Sequence, residues 1–297
     1  MAVTFSTCDV STASRALNYG DGFFTTIAVI ARQLQLFPLH SQRLIANAKS
    51  LSVDLTDIHL TLPSGLDSQH LNANSAQYAD FDAALQVIFA ACCKQHPEPD
   101  FVIKVLIARG DGGRGYSPHG CGPTQVIVTT HHYPLHYQQQ RKEGISVEIS
   151  NVKLAHQPLL AGLKHLNRLE QVLVKQDLQA RDCDDLLVAD YQDNLIEASA
   201  ANFFWMNESS TWCTPVLDHC GIDGVFRQHI IAHMTASGQK VTEKPCRIED
   251  LLAAKALFIC NSLMQVVPVT ELRVKGQTIA IADTPVIALQ NQLGLTQ

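Results

Sequence analysis

Residues 22–37, GFFTTIAVIARQLQLF, concentrate β-branched and aromatic side chains, and Ala31, Arg32 and Gln33 break the run in two. That pattern predicts a hairpin. Leu44, Ile45, Ala48 and Leu51 then recur at helical spacing and predict a helix, with Ser41 as its cap. The polar stretch 53–77 reads as a loop or insertion, 79–95 as a second helix, and FVIKVLIAR (101–109) as a strand. A dense Gly/Pro run, GDGGRGYSPHGCGP (110–123), follows and is the best linker candidate in the chain.

Beyond it, TQVIVTTHHYP and ISVEIS read as strands, and LAGLKHLNRLEQVLVKQDLQARD reads as a loop leading into an amphipathic helix. DDLLVAD and LIEASAANFFWM, joined by a turn at Tyr191–Asn194, predict a hairpin. GVFRQHIIAHMTASG predicts a helix with a glycine stop, and ALFICNSLMQVVPV a strand with a turn inside it. The fold class expected is α+β. A small N-terminal domain covers 1–118, a linker 119–123, and a larger domain 124–297. No internal repeat or low-complexity tract is present.

Composition narrows the picture. A chain of 297 residues suits one large or two ordinary domains. With 46% hydrophobic and 17% charged residues, a largely disordered chain is excluded. The net charge of −6 supplies no diffuse positive field, so no nucleic-acid partner is expected. Nine cysteines without a Cys-x-x-Cys read as free thiols in a reducing compartment. The first twenty residues lack a basic segment followed by a long apolar one, and no apolar stretch reaches about 18 residues. A cytoplasmic protein without a membrane partner is the expectation.

Several chemical motifs fail on inspection. Gly110–Gly115 matches Gly-x-Gly-x-x-Gly after a strand, but the following Tyr-Ser-Pro-His-Gly-Cys-Gly-Pro cannot begin the helix that would hold a pyrophosphate. Arg109 and Arg114 in that region can instead grip a carboxylate through a bidentate fork. His131, His132 and His136 have no carboxylate or cysteine at helpful spacing, so no metal is expected. No Gly-x-Ser-x-Gly occurs, and Ser199 lacks the glycine frame of a nucleophile elbow.

Other segments are more informative. Lys164 follows a small residue and precedes a well-formed helix. Most lysines point into water, but one confined near a helix start loses its proton more readily and can form a Schiff base. Glu197, in LIEASAANFF, sits among apolar and small residues, where an isolated carboxylate is costly. It either faces solvent or pairs with a protonated heteroaromatic nitrogen. Gly221–Arg227 runs from a glycine turn into a helix, whose first N–H groups bind phosphate. Asn261-Ser262-Leu263 interrupts an apolar strand and offers a hydroxyl and N–H groups. Each of these, alone, also reads as an ordinary turn or surface feature.

Taken in order, YGDGFFTT (19–26), the helix start with Arg43, the central Lys164, EASAANFF, GVFR and NSLMQVVPV resemble the fold-type IV pyridoxal-phosphate enzymes. That family includes the branched-chain and D-amino acid aminotransferases. KVLIARGDGGRGYSP (104–118) and LAGLKHLNRLEQVL (160–173) are similar to its 4-amino-4-deoxychorismate lyase branch. The resemblance implies a smaller N-terminal α/β domain and a larger C-terminal, β-barrel-like domain with helices. It implies pyridoxal 5′-phosphate as cofactor, carried by Lys164, which also shuttles protons. Glu197 would pair with the pyridine nitrogen. Arg43, the Val225 and Phe226 N–H groups, Ser262 and Leu263 would hold the phosphate. Arg109 and then Arg114 would meet substrate carboxylates, with Tyr19, Thr25 and Asn261 lining the pocket. The implied small-molecule substrate is 4-amino-4-deoxychorismate, and the implied assembly is a homodimer. An aminotransferase of the same fold is the nearest alternative. Composition alone also admits a non-catalytic small-molecule-binding protein with two α+β domains.

Overall fold

A computed structural model describes residues 2–6, 11–63, 66 and 78–295. The chain forms two compact units. The first comprises Met1–Tyr133 with Lys164–Asn167, and the second Pro134–Leu163 with Arg168–Gln297.

The first unit is built on six strands: β1 (Ala2–Ser6), β2 (Gly22–Ile30), β3 (Gln33–Leu34), β4 (Asp57–Thr61), β5 (Phe101–Ala108) and β6 (Thr124–His132), in the order β1-β4-β6-β5-β2-β3. β2 and β3 are the expected hairpin, and β5 lies antiparallel to both β2 and β6. The helices of this unit are α1 (Arg15–Tyr19), α2 (Phe37–Ser50) and α3 (Phe81–Gln95). Leu44 and Ala48 of α2 and Leu85, Ile88 and Phe89 of α3 join one core with Phe23, Ile27 and Ile103 of the sheet. The Asp80 carboxylate caps α3 by accepting the Ala83 N–H at 2.9 Å.

Three expectations change here. Ser41 is not a cap: α2 begins at Phe37, after Leu36 in the left-handed region and with Pro38 in its first turn, where a missing N–H costs nothing. Ser41 lies inside the helix and donates to Asp82 at 2.5 Å. Residues 57–61 form a strand rather than a loop, because Ile58 and Leu60 alternate into the core while the backbone pairs in parallel with β1 and β6. Of the rest of the expected insertion, residues 64, 65 and 67–77 lie outside the described residues. The Gly/Pro run does not separate domains. It connects β5 to β6, neighbours in one sheet, and so 124–132 belongs to the first unit.

The second unit holds a nine-stranded sheet. Its strands are β7 (Ile145–Leu154), β8 (Asp185–Asp190), β9 (Leu195–Ala198), β10 (Asn202–Met206), β11 (Trp212–Thr214), β12 (Val241–Glu243), β13 (Ala256–Asn261), β14 (Gln265–Val274) and β15 (Gln277–Ala280). The order is β12-β11-β10-β13-β14-β7-β8-β9, with β15 on β14. LIEASAANFFWM is two strands rather than one: β9 pairs with β8, while β10 pairs with β13. Five helices complete the unit: α4 (His136–Glu143), which the sequence reading did not anticipate, α5 (Leu169–Gln179), α6 (Val225–Ala236), α7 (Ile248–Leu252) and α8 (Thr284–Gln292). Val147, Leu187, Phe203, Trp205, Leu257 and Val267 centre its core.

Candidate active site

In the first unit, the segment bearing Lys164 is fastened to β2. The Phe24 N–H donates to the Lys164 carbonyl and the Leu166 N–H donates to the Gly22 carbonyl, each at 3.0 Å, with Phe23 and His165 bridged antiparallel between them. The backbone at Lys164 is therefore held by a strand and not by a helix start, since α5 begins only at Leu169. The Lys164 side chain is half-buried, and its Nζ lies 4.5 Å from the centroid of the Phe24 ring. An ammonium would be attracted to that ring face, while the apolar wall limits its hydration.

The residue after Phe24 continues the arrangement. Thr25 Oγ1 is 2.6 Å from Nδ1 of His40, and both side chains are buried. His40 and the half-buried Arg43 are three residues apart on α2 and so share a face of it. Burial lowers the His40 pKa to about 3, and the positive charges of Arg43 and Lys164 push the same way. His40 is thus a neutral imidazole, and its Nε2 is a buried atom without a partner. The sequence reading missed His40. The signal it offered was a histidine one helical turn before Arg43.

In the second unit, Glu197 on β9 is buried. Its Oε2 accepts the Ile222 N–H at 2.9 Å and its Oε1 accepts Gln171 Nε2 at 3.2 Å. The buried carboxylate is satisfied by neutral donors that fix its direction. Arg168 lies within its electrostatic reach: burial pulls the guanidinium pKa down, and Glu197 and Glu170 oppose that. Gly162, two residues before Lys164 in the chain, donates to the Gly221 carbonyl at 3.0 Å and accepts from Asp223 at 3.1 Å, which fixes the turn holding Ile222.

That turn leads into α6. Gly224 precedes the helix, no side chain caps it, and Val225 and Phe226 are its first residues. Asn202 sets the approach, accepting the Gly224 N–H at 3.1 Å and donating to the Ile222 carbonyl at 2.7 Å. A Cβ at position 224 would lie 2.2 Å from Asn202 Oδ1, so glycine is required by space. Arg227 is buried and paired with Asp223, Glu243 and the Pro215 carbonyl.

The remaining expected residues fall differently. The Asn261 amide is engaged in a turn. Its Oδ1 accepts the Leu263 and Met264 N–H groups at 2.8 Å each and its Nδ2 donates to the Ala200 carbonyl, so it builds the β13–β14 turn. The Leu263 N–H is therefore engaged within the protein, and Ser262 is the half-buried residue between them. The Arg109 guanidinium is engaged within the protein, meeting Asp21 at 3.0 Å, the Leu51 carbonyl at 2.6 Å and the Ser52 carbonyl at 2.8 Å. Arg114 is exposed on the glycine-rich loop. That loop is shaped by Arg15, which donates to the carbonyls of Gly115, Tyr116 and Ser117 at 3.0–3.1 Å. Tyr19 is exposed, with the Arg15 guanidinium 5.0 Å from its ring centroid.

These features define a two-unit α+β protein with a strand-clamped lysine, a buried carboxylate fixed by a backbone N–H, and an uncapped helix start. The chain belongs to the amino-transferase class IV family, whose profile matches residues 22–272. It is 32% identical over 261 residues to the aminodeoxychorismate lyase of Vibrio harveyi, covering 88% of this chain and 86% of that protein. It is 27% identical to a putative branched-chain-amino-acid aminotransferase of Methanocaldococcus jannaschii, covering 89% and 82%. The crystal structure of 4-amino-4-deoxychorismate lyase from Pseudomonas aeruginosa superposes with a TM-score of 0.76 at 29% identity, covering 96% of this chain and 94% of that one. The family's cofactor is pyridoxal 5′-phosphate. Each unit holds groups of the kind that cofactor needs: the first a half-buried amine and a partnerless buried imidazole nitrogen beside Arg43, the second a fixed carboxylate and first-turn N–H groups with no side-chain cap.

Proposed function

We propose that this chain is a pyridoxal-phosphate-dependent lyase that converts 4-amino-4-deoxychorismate to 4-aminobenzoate and pyruvate. The observation that carries the lyase reading over the aminotransferase reading is the likeness to lyases, 32% identical over 88% of the chain in sequence and 29% in structure.

Lys164 holds the cofactor through Nζ. Glu197, its direction fixed by Ile222 and Gln171, would pair with the ring nitrogen and keep it protonated. Arg43, Ser262 and the Val225 and Phe226 N–H groups take the phosphate, the last two through the positive end of α6. When bound, pyridoxal 5′-phosphate supplies an aldehyde for the substrate amine and a ring that draws electrons from the adjacent carbon. With that group bound, the Lys164 amine would be the base that takes the proton from the substrate carbon bearing the nitrogen. The neighbouring C–O bond then breaks, the ring becomes aromatic, and the departing enolpyruvyl oxygen takes a proton back from Lys164. The enol tautomerises to pyruvate, so atoms balance without water or a second substrate. Phe24 shields the amine side of this exchange from solvent. With Arg109 engaged internally, Arg114 is the guanidinium of the two that remains for a substrate carboxylate.

The decisive assay is pyruvate release from 4-amino-4-deoxychorismate with no keto acid present. Release at an undiminished rate supports the lyase. A requirement for a keto-acid acceptor overturns it in favour of an aminotransferase. The working form we propose is a cytoplasmic homodimer. Exposed Leu17, Tyr19 and Tyr116 support an interface on the first unit, the two tyrosine rings lying 5.4 Å apart. Among the described residues no helix is long and apolar enough to cross a membrane.

A further inference from the structure

Away from these residues, three different metal-ligating groups meet in the second unit. His156 follows β7, Asp190 ends β8, and Cys220 lies in the turn before α6. Their ligand atoms all lie within 4.8 Å of one another, with His156 Nε2 3.0 Å from Asp190 Oδ2. Asp190 and Cys220 are buried and His156 is half-buried. A second imidazole is adjacent, the His219 ring centroid being 5.0 Å from that of His156.

The surroundings are arranged as those of a cation site usually are. Asp190 is oriented from behind: its Oδ1 accepts the Gln192 and Asn194 N–H groups at 2.8 and 2.9 Å, while its Oδ2, which faces His156, also accepts the Asn194 side-chain amide at 3.0 Å. The His156 segment is tied to the Cys220 segment by the Gln157 N–H, which donates to the His219 carbonyl at 2.8 Å. Such outer hydrogen bonds characteristically set the direction of ligating carboxylates and imidazoles. Burial raises the Cys220 pKa to about 12, and Asp190, Glu197, Glu170 and Asp218 add to the rise.

We propose that His156, Asp190 and Cys220 bind one divalent ion of the zinc class, with His219 or water as the fourth ligand. One sulfur, one imidazole and one carboxylate make a borderline-soft set that favours Zn²⁺ over Mg²⁺ or Ca²⁺. In a tetrahedral zinc site with bonds of about 2.0–2.3 Å the ligand atoms stand about 3.3–3.8 Å apart. Closing the cluster therefore takes shifts of about 1 Å. Binding breaks the Cys220 S–H bond and releases that proton to solvent. The hydrogen bond between His156 and Asp190 is exchanged for two bonds to the ion, the imidazole proton moving to Nδ1. Because Ile222 lies two residues beyond Cys220 and bonds Glu197, an ion here would stiffen the turn that orients that carboxylate.

The test loads the full-length holoenzyme with Zn²⁺ and measures retained metal by atomic emission, affinity by competition with a chelating dye, and proton release in weak buffer. One ion per chain and one proton per ion are expected. Cys220→Ser and His156→Gln should each weaken binding by at least tenfold, while His132→Ala, on the exposed end of β6, should leave it unchanged. Co²⁺ substitution of the unmodified protein reads the sulfur ligand directly, since a thiolate–cobalt charge-transfer band does not depend on any variant folding. The proposal is overturned by failure to retain zinc, by equal affinity in the two ligand variants, or by a cobalt spectrum without the thiolate band.

Discussion

Thr25 Oγ1 and His40 Nδ1 lie 2.6 Å apart in the interior of the first unit, and neither side chain reaches solvent. Because burial lowers the His40 pKa from 6.5 to about 3, the unfolded chain binds a proton there that the folded one refuses. The stability this gives is complete above pH 6.5 and is lost as pH falls toward 3, at about 1.4 kcal/mol per pH unit. His40→Gln removes the titrating group while keeping a polar partner for Thr25. Urea unfolding at a series of pH values should show wild type losing stability relative to the variant below pH 6.5 and running parallel to it above. Parallel curves throughout would mean that His40 protonates freely in the folded protein.

Arg109 is expected to behave as a tie between elements. Its guanidinium joins Asp21, ahead of β2, to the Leu51 and Ser52 carbonyls that end α2. Charge-assisted hydrogen bonds of this kind are worth about 1.5–3 kcal/mol. Arg109→Ala should lower stability by about 3 kcal/mol, and the surviving folded enzyme should keep its KM within about twofold. Arg114→Ala should do the reverse, raising KM with unchanged Tm, because that side chain is exposed. A rise in KM for Arg109→Ala at unchanged Tm would return Arg109 to substrate binding.

The parts of this architecture that were legible in the sequence are those fixed by local pattern. The β2–β3 hairpin follows from the break at Ala31 and Arg32, both of which adopt positive φ. The start of α6 follows from Gly224, and β13 and β14 from the Asn261-Ser262 pair that interrupts an apolar run. What failed depends on partners far away in the chain. Strand β4 contains Asp57 and His59 and looks like a loop until β1 and β6 flank it. The Gly/Pro run reads as a linker because nothing local shows that Arg15, about 100 residues earlier, gathers its carbonyls. Lys164 was recognisable by motif, but its clamp onto Gly22 and Phe24 is a tertiary relation. Likewise the sequence ranks Arg109 ahead of Arg114 for a substrate carboxylate, and only the folded chain shows Arg109 tied to Asp21, Leu51 and Ser52 while Arg114 is exposed.

Gly224 has an ordinary φ of −66°, so its requirement is steric and can be tested as such. In Gly224→Ala the new methyl would meet Asn202 Oδ1 at 2.2 Å, and that amide is held by two backbone hydrogen bonds. Either Asn202 or the first turn of α6 must move. An overpacked site of this kind costs about 1–3 kcal/mol. Displacing the Val225 and Phe226 N–H groups should weaken pyridoxal 5′-phosphate binding by about tenfold, measured by titrating the apoenzyme. Unchanged affinity would place the phosphate elsewhere.

Glu197 allows charge and hydrogen bonding to be separated. Glu197→Gln still offers an oxygen to the Ile222 N–H but removes the negative charge. The cofactor should remain bound, whereas turnover should fall by about 100-fold or more, some 2.7 kcal/mol of barrier, because the ring nitrogen loses the anion that keeps it protonated. Glu197→Ala removes the acceptor as well and leaves the Ile222 N–H and Gln171 unsatisfied, costing a further 1–3 kcal/mol of stability or so. The pair of variants should therefore differ in Tm but share the defect in turnover. Were Glu197→Gln fully active, the carboxylate would serve only to hold the turn before α6, and the partner of the ring nitrogen would have to be sought in another residue.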